Sequence, residues 1–219
     1  MTAKKTHCYF VPGLAASKEI FKNIRLPETD FEIHILEWLI PDKDETLPAY
    51  AKRMCERIVH ENSVLIGVSF GGVVAQEMSE FVSLQKLIII SSVKTKHELP
   101  RRLKIVKNTG LYKVLPTGWA LSIKDLTKLA IGPKSRKRLR LYQEYLWMRD
   151  KTYLDWAIKQ MVCWDRDQPL RGVIHIHGDA DIVFPIKNLK ANYVIPNGTH
   201  VMILSKGSKV SALLQNILK

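Results

Sequence analysis

Ser63-Val64-Leu65-Ile66-Gly67-Val68-Ser69-Phe70-Gly71-Gly72 is the stretch whose reading decides the fold. An apolar, β-branched run ends in Gly-x-Ser-x-Gly, and Val73-Val74-Ala75-Gln76-Glu77-Met78 follows with helix-forming spacing. This reads as strand, sharp turn and helix, with Ser69 at the apex. The glycines have a steric reason, because a side chain at Gly67 or Gly71 collides with the neighbouring strand or helix. The helix that starts after Ser69 points its first amides at whatever sits over the hydroxyl, a place suited to developing negative charge. The alternative is a glycine-rich turn whose serine caps a helix.

Upstream, His7-Cys8-Tyr9-Phe10-Val11 reads as a short buried strand stopped by Pro12-Gly13. Residues 16–25 suit a short helix closed by Leu26-Pro27. Residues 31–38 alternate for most of their length and predict a second strand, at or near an edge. After a polar loop over 41–46, residues 47–61 carry Leu47, Tyr50, Ala51, Met54, Cys55, Ile58 and Val59 at helical spacing, an amphipathic helix. Downstream, the helix after Ser69 is expected to run to about Ser83, and Leu87-Ile88-Ile89-Ile90 predicts a fourth strand ending at Ser91-Ser92. Continuous apolar central strands alternating with helices predict a doubly wound α/β fold: a mostly parallel sheet covered on both faces.

The rhythm breaks over 94–168, where helical stretches rich in Lys, Arg, Leu, Tyr and Trp are interrupted at Pro100, Gly110, Pro116-Thr117-Gly118 and Gly132-Pro133. Strands return at 173–177 and 193–195, and a closing helix is expected from about Gly207 to Leu218. The chain therefore divides into a core, 1–93 with 169–219, and a helical insertion, 94–168. The insertion is expected over the C-terminal edge of the sheet, where ligands of open α/β sheets bind.

At 219 residues the chain fits one domain able to bury a substantial core. Three scattered cysteines, Cys8, Cys55 and Cys163, give no disulfide framework and point to a reducing compartment. No apolar run approaches membrane-spanning length, and the start of the chain lacks a signal-peptide core, so a cytoplasmic location is expected. The net charge of +13 is local, since residues 94–168 hold 18 basic and 7 acidic side chains. Its densest run, Lys134-Ser135-Arg136-Lys137-Arg138-Leu139-Arg140, reads either as a solvated helix face or as a positive collar that attracts an anionic substrate or carrier. Nucleic-acid binding is disfavoured: no recognised module accompanies the charge, and Tyr142, Tyr145, Trp147, Tyr153 and Trp156 have spacings that suit packing onto the sheet.

A serine hydroxyl needs a base, and the base needs an orienting acid. The loop after the fifth strand is His177-Gly178-Asp179-Ala180-Asp181-Ile182-Val183-Phe184-Pro185, and the loop after the sixth is Pro196-Asn197-Gly198-Thr199-His200. These residues carry a resemblance to small α/β-hydrolase-fold serine hydrolases of the kind that includes cap-bearing carboxylesterases and thioesterases. Gly67-Val68-Ser69-Phe70-Gly71 resembles the nucleophile elbow. His177-Gly178-x-x-Asp181 with Pro185 resembles the acid loop, and Gly198-x-His200 the histidine loop, in the chain order Ser, Asp, His. Phe10-Val11-Pro12-Gly13-Leu14 takes the place of the family's His-Gly oxyanion loop, with Pro12 where the family usually has histidine. The two usual leading antiparallel strands are missing, which leaves six strands in the expected order 2-1-3-4-5-6.

The resemblance implies Ser69 as nucleophile, His200 as general base and then acid, and Asp181 as orienting carboxylate. The backbone amides of Leu14 and Phe70 are the implied oxyanion hole, with no metal and no cofactor. The implied reaction is hydrolysis of small carboxylic esters or thioesters through an acyl-enzyme; the positive segment 94–168 adds the expectation of an anionic substrate or carrier, such as an acyl-CoA, an acyl carrier protein or an acidic ester. Transfer of the acyl group to another acceptor, or a non-catalytic ligand-binding role for the same fold, stay open. Asp179 competes with Asp181, and the spacing from His177-Gly178 favours Asp181. His175 and His177 read as packed core histidines; a metallo-hydrolase motif built on His175-x-His177-x-Asp179 wants a further histidine where Ala180 or Asp181 stands. Cys163, beside Trp164, reads as packing.

Overall fold

The computed structural model describes residues 5–110, 112 and 147–219. The basic run 134–140, Tyr142, Tyr145 and the interruptions at 116–118 and 132–133 lie outside them.

Six strands form one sheet: β1 (Thr6–Val11), β2 (Phe31–Ile35), β3 (Ser63–Val68), β4 (Leu84–Ile90), β5 (Ile174–Gly178) and β6 (Tyr193–Ile195). The order is β2-β1-β3-β4-β5-β6, with every pairing parallel. Strand alternation sorts the core into two halves. Tyr9, Val11, Leu65, Leu87 and Ile89 face one side, under α1 (Leu47–Cys55) and α2 (Phe70–Met78). Cys8, Phe10, Val64, Ile66, Ile88 and Ile90 face the other, against the C-terminal helix. Both faces are dry, which explains the unbroken apolar strands.

Within residues 94–168, the helices α3 (Arg101–Thr109) and α4 (Lys151–Cys163) are described. Asp150 caps α4 by accepting from the Tyr153 amide. Tyr153 and Trp156 are buried, packing in tilted and edge-on contacts among Trp38, Tyr50 and Phe70. Each such aromatic contributes roughly 1.5–3 kcal/mol by leaving water. Trp147 departs from the packing expectation at 62 % exposure. Cys163 ends α4 half-buried. The chain closes with α5 (Met202–Ser205) and α6 (Gly207–Leu218), the latter with the predicted bounds.

Several expected bounds are corrected. Residues 16–25 form only a 3₁₀ turn, Lys18–Phe21. The next polar groups bond outward instead, the Asn23 amide to the Leu204 carbonyl and the Arg25 N–H to Ser211 Oγ. β2 stops at Ile35, short of Trp38, whose indole turns back to the Gly13 carbonyl. α1 ends at Cys55 rather than 61: Arg57 and Ile58 make tight three-residue bonds, the Val59 amide donates to the Tyr9 hydroxyl, and Val59 is exposed. α2 ends at Met78 rather than about 83, and β4 starts three residues earlier than expected. No described helix is long and apolar enough to cross a membrane.

Candidate active site

Ser69, Asp181 and His200 come from three loops and meet at the C-terminal edge of the sheet. Ser69 sits between β3 and α2 with φ 54° and ψ −121°, a strained conformation for a residue with a side chain. Its backbone is held on both sides: its N–H donates to the Ile90 carbonyl, and its own carbonyl accepts from Gly72 N–H and from Ser92 Oγ at 2.7 Å. The elbow closes this tightly only because its flanks lack side chains. A Cβ on Gly67 would stand 2.2 Å from the Gly71 carbonyl oxygen, and one on Gly71 would stand 2.2 Å from the Pro12 carbonyl oxygen.

His200 Nε2 lies 2.8 Å from Ser69 Oγ, and His200 Nδ1 lies 2.8 Å from Asp181 Oδ2. The Asp181 side chain is inaccessible to solvent. Its other oxygen accepts from the Val183 and Phe184 amides at 2.7 and 2.9 Å, so the carboxylate cannot swing. Burial works to raise the Asp181 carboxyl, but the charge and hydrogen bond of His200, with the Phe184 amide, hold it below its usual value. The Phe184 ring packs edge-on to His200. Asp179 takes no part: it accepts from the Asn197 amide at 2.6 Å and so pins the loop that carries His200.

The loop from Pro12 to Ala15 is oriented by groups that the sequence did not single out. The Gly13 carbonyl accepts from the Trp38 indole and from the Ala16 amide, both at 3.0 Å. Across a trans peptide, the Leu14 N–H then points the opposite way from that carbonyl. A Cβ built on Gly13 would lie 3.6 Å from Ser69 Cβ, so this loop borders the serine. Ala15, with φ 61°, is clamped from the insertion: its carbonyl accepts from the Trp147 and Met148 amides, and its N–H donates to the Tyr153 hydroxyl. Phe70 opens α2, so its N–H has no intrahelical acceptor. By the same trans-peptide rule it points away from the Ser69 carbonyl that Ser92 fixes. Arg102 of α3 donates to the Ile182 and Val183 carbonyls, tying the insertion to the acid loop. Long-range contacts of this kind leave no periodic trace in sequence, so Trp38, Ser92 and Arg102 carry no sign there of the contacts they make in the fold.

His175 and His177 are the buried core histidines expected. His177 Nε2 donates to the Phe184 carbonyl at 2.8 Å and lies 3.4 Å from Asp181, while His177 Nδ1 faces His175 Nε2 at 3.1 Å. Burial lowers both, His175 to about 3. The unfolded chain therefore takes up protons from about pH 6.5 downward that the folded chain refuses until about pH 3. Stability is expected to fall through that window as pH drops. Asp181, lowered in the fold, adds an acid loss only below its ordinary 3.8. Melting temperature measured from neutrality to about pH 4 tests this, with a flatter profile expected for His175→Gln.

The parallel sheet order, the serine elbow and the placement of acid and histidine loops define the α/β-hydrolase fold. No protein-family model matches the sequence, and no curated protein matches it by sequence. Solved structures do match. MenH from S. aureus is 16 % identical with a TM-score of 0.71, covering 99 % of this chain and 94 % of its own. An esterase from Thermogutta terrifontis, solved with malate bound, is 16 % identical with a TM-score of 0.68, covering 99 % of this chain and 90 % of its own. A hydrolase from Oleispira antarctica is 13 % identical with a TM-score of 0.72, covering 99 % of this chain and 92 % of its own.

Proposed function

We propose that the protein is a serine hydrolase that cleaves carboxylic esters or thioesters through an acyl-enzyme. The observation that supports this best is the continuous chain from Ser69 Oγ through His200 to Asp181, with both links at 2.8 Å. Ser69 attacks the carbonyl carbon while His200 Nε2 takes its proton, and Asp181 stabilises the imidazolium without accepting that proton. The Leu14 and Phe70 amides receive the oxyanion. The carbonyl re-forms as His200 gives the proton to the leaving oxygen or sulfur. Water, deprotonated by His200, then attacks the acyl-Ser69 ester, and the acid product leaves as the serine is regenerated. An acceptor other than water entering at that second stage would make the same site an acyltransferase.

Labelling with a fluorophosphonate followed by peptide mapping tests the proposal. Modification is expected at Ser69, absent in Ser69→Ala and strongly reduced in His200→Ala. A folded protein that takes no label would instead be a non-catalytic receptor on this fold.

The finer reading is an anionic acyl carrier, acyl-CoA or acyl carrier protein, attracted by the net positive insertion. Its densest stretch, 134–140, lies outside the described residues. Several described cations there are already paired, Lys96 with Asp165 and Asp167 and Arg166 with Glu77 and Glu80, so attraction would fall to the rest. On this reading kcat/KM for an acyl-CoA falls several-fold as ionic strength rises from about 0.05 to 0.5 M, while that for a neutral p-nitrophenyl ester stays level. Equal salt dependence for the two substrates rules the collar out.

A further inference from the structure

Away from Ser69, three histidines gather toward the end of the sheet from which β1 and β3 enter. His7 lies near the start of β1, His34 on the edge strand β2, and His60 in the loop between α1 and β3. Alternation places them together: His7 and Tyr9 share one face of β1, and Glu32 and His34, their register partners, share that face of β2. His7 stacks on His60 with ring centroids 3.5 Å apart and planes 6° from parallel. His7 Nδ1 faces His34 Nε2 at 3.0 Å. One ring nitrogen from each of the three lies within 4.8 Å of the others.

We propose that His7, His34 and His60 bind one divalent transition-metal ion of the zinc class, with Glu32 as the fourth donor. Imidazole nitrogens suit zinc, copper and nickel, zinc also takes carboxylate oxygens, and three imidazoles with one carboxylate fill its four tetrahedral positions. With metal–nitrogen bonds of about 2.0–2.1 Å, ligand atoms of a tetrahedral site stand roughly 3.3 Å apart, so the donors must draw in from within 4.8 Å and the His7 and His60 rings must turn out of their parallel stack until their in-plane lone pairs meet on the ion. The Glu32 carboxylate lies 3.6 Å from His34 Nε2 and 3.7 Å from His7 Nδ1, the two nitrogens that face each other. It supplies the anion that offsets the ion's charge. Around this set stands an orienting group: the Tyr9 hydroxyl is 2.7 Å from His60 Nδ1 and is itself fixed by the Val59 amide, which leaves Nε2 of His60 for the ion.

The ion would tie the edge strand β2 to β1 and to the loop that leads into β3. It sits on the far side of the sheet's length from Ser69, so its effect is on stability rather than on the reacting carbonyl.

Untagged protein stripped with a chelator and titrated with Zn²⁺ by calorimetry is expected to bind one ion per chain. Co²⁺ in its place is expected to give the intense visible bands of tetrahedral coordination. Affinity should fall at least about 100-fold in His34→Ala and in His60→Ala, and in His34→Gln, which preserves polarity should the alanine variants fail to fold. Zinc should raise the melting temperature of the wild type and not of these variants. His200→Ala, altered only at the sheet's other end, should bind as the wild type does. Absence of saturable binding, or binding that survives in the three His34 and His60 variants, overturns the proposal. So does a loss of binding in His200→Ala alone.

Discussion

Ser69→Ala and His200→Ala are each expected to lower kcat on a p-nitrophenyl ester by about 10⁶-fold, and Asp181→Asn by about 10⁴-fold, with KM little changed. The effects are not additive, because the three side chains act as one unit: the double variant Ser69→Ala/His200→Ala should be no slower than either single one. The Asp181→Asn result follows from how the carboxylate is anchored. One oxygen accepts from the Val183 and Phe184 amides and the other from His200 Nδ1. An asparagine that keeps its oxygen on the two amides must turn its NH₂ toward His200. The Nδ1 atom then has to accept, the ring proton moves to Nε2, and the nitrogen facing Ser69 can no longer take the serine's proton. The loss is in tautomer rather than position, so the variant should fold and melt as a hydrolase-fold protein while failing in turnover. Steady-state kinetics with burst analysis on the three variants decides it. Activity within tenfold of wild type in any of them would place the chemistry elsewhere.

The candidate residues Ser69, Asp181 and His200 are readable in the sequence because each is tied to a local rule. Gly67-x-Ser69-x-Gly71 follows an apolar strand and opens a helix, and the two later loops follow strands whose apolar runs stand out on both sides. The choice of Asp181 over Asp179 rests on spacing from His177-Gly178 in the family pattern, and the structure separates the two by their contacts: one carboxylate faces His200, the other holds Asn197. Element ends were less legible. Ile58 and Val59 continue the helical spacing of α1, yet the Tyr9 hydroxyl draws the Val59 amide out of the helix. Residues 16–25 have helix-forming composition, but α5 and Ser211 of α6 capture their polar groups. Tertiary partners took over in both places, and no window of sequence contains them. The histidine cluster is the extreme case. His7, His34 and His60 lie far apart in the chain, and only the parallel register of β1 with β2 brings two of them to one face.

Gly67→Ala and Gly71→Ala are expected to destabilise the fold by at least about 3 kcal/mol and to leave little soluble protein, even though Gly71 lies in helix α2, where alanine is ordinarily favoured. The added methyl at either site would stand 2.2 Å from a backbone carbonyl oxygen, Gly71 for the first and Pro12 for the second. Neither neighbour is a flexible side chain. Relief requires α2 to lift from β3 or β1 to move outward, and both motions disturb the Gly13 to Ala15 loop along with Ser69. A second pair of glycines separates this collision from simple loss of glycine. Gly110 and Gly172 have φ of 67° and 78° and open space where a Cβ would stand. Alanine at either should cost only the left-handed backbone strain, about 1–2 kcal/mol, and should leave the rate on a p-nitrophenyl ester at the wild-type level. Chemical denaturation of the four variants measures the difference. If Gly67→Ala lost no more stability than Gly172→Ala, the tight contact between the elbow and α2 would not be what holds Ser69 at its positive φ.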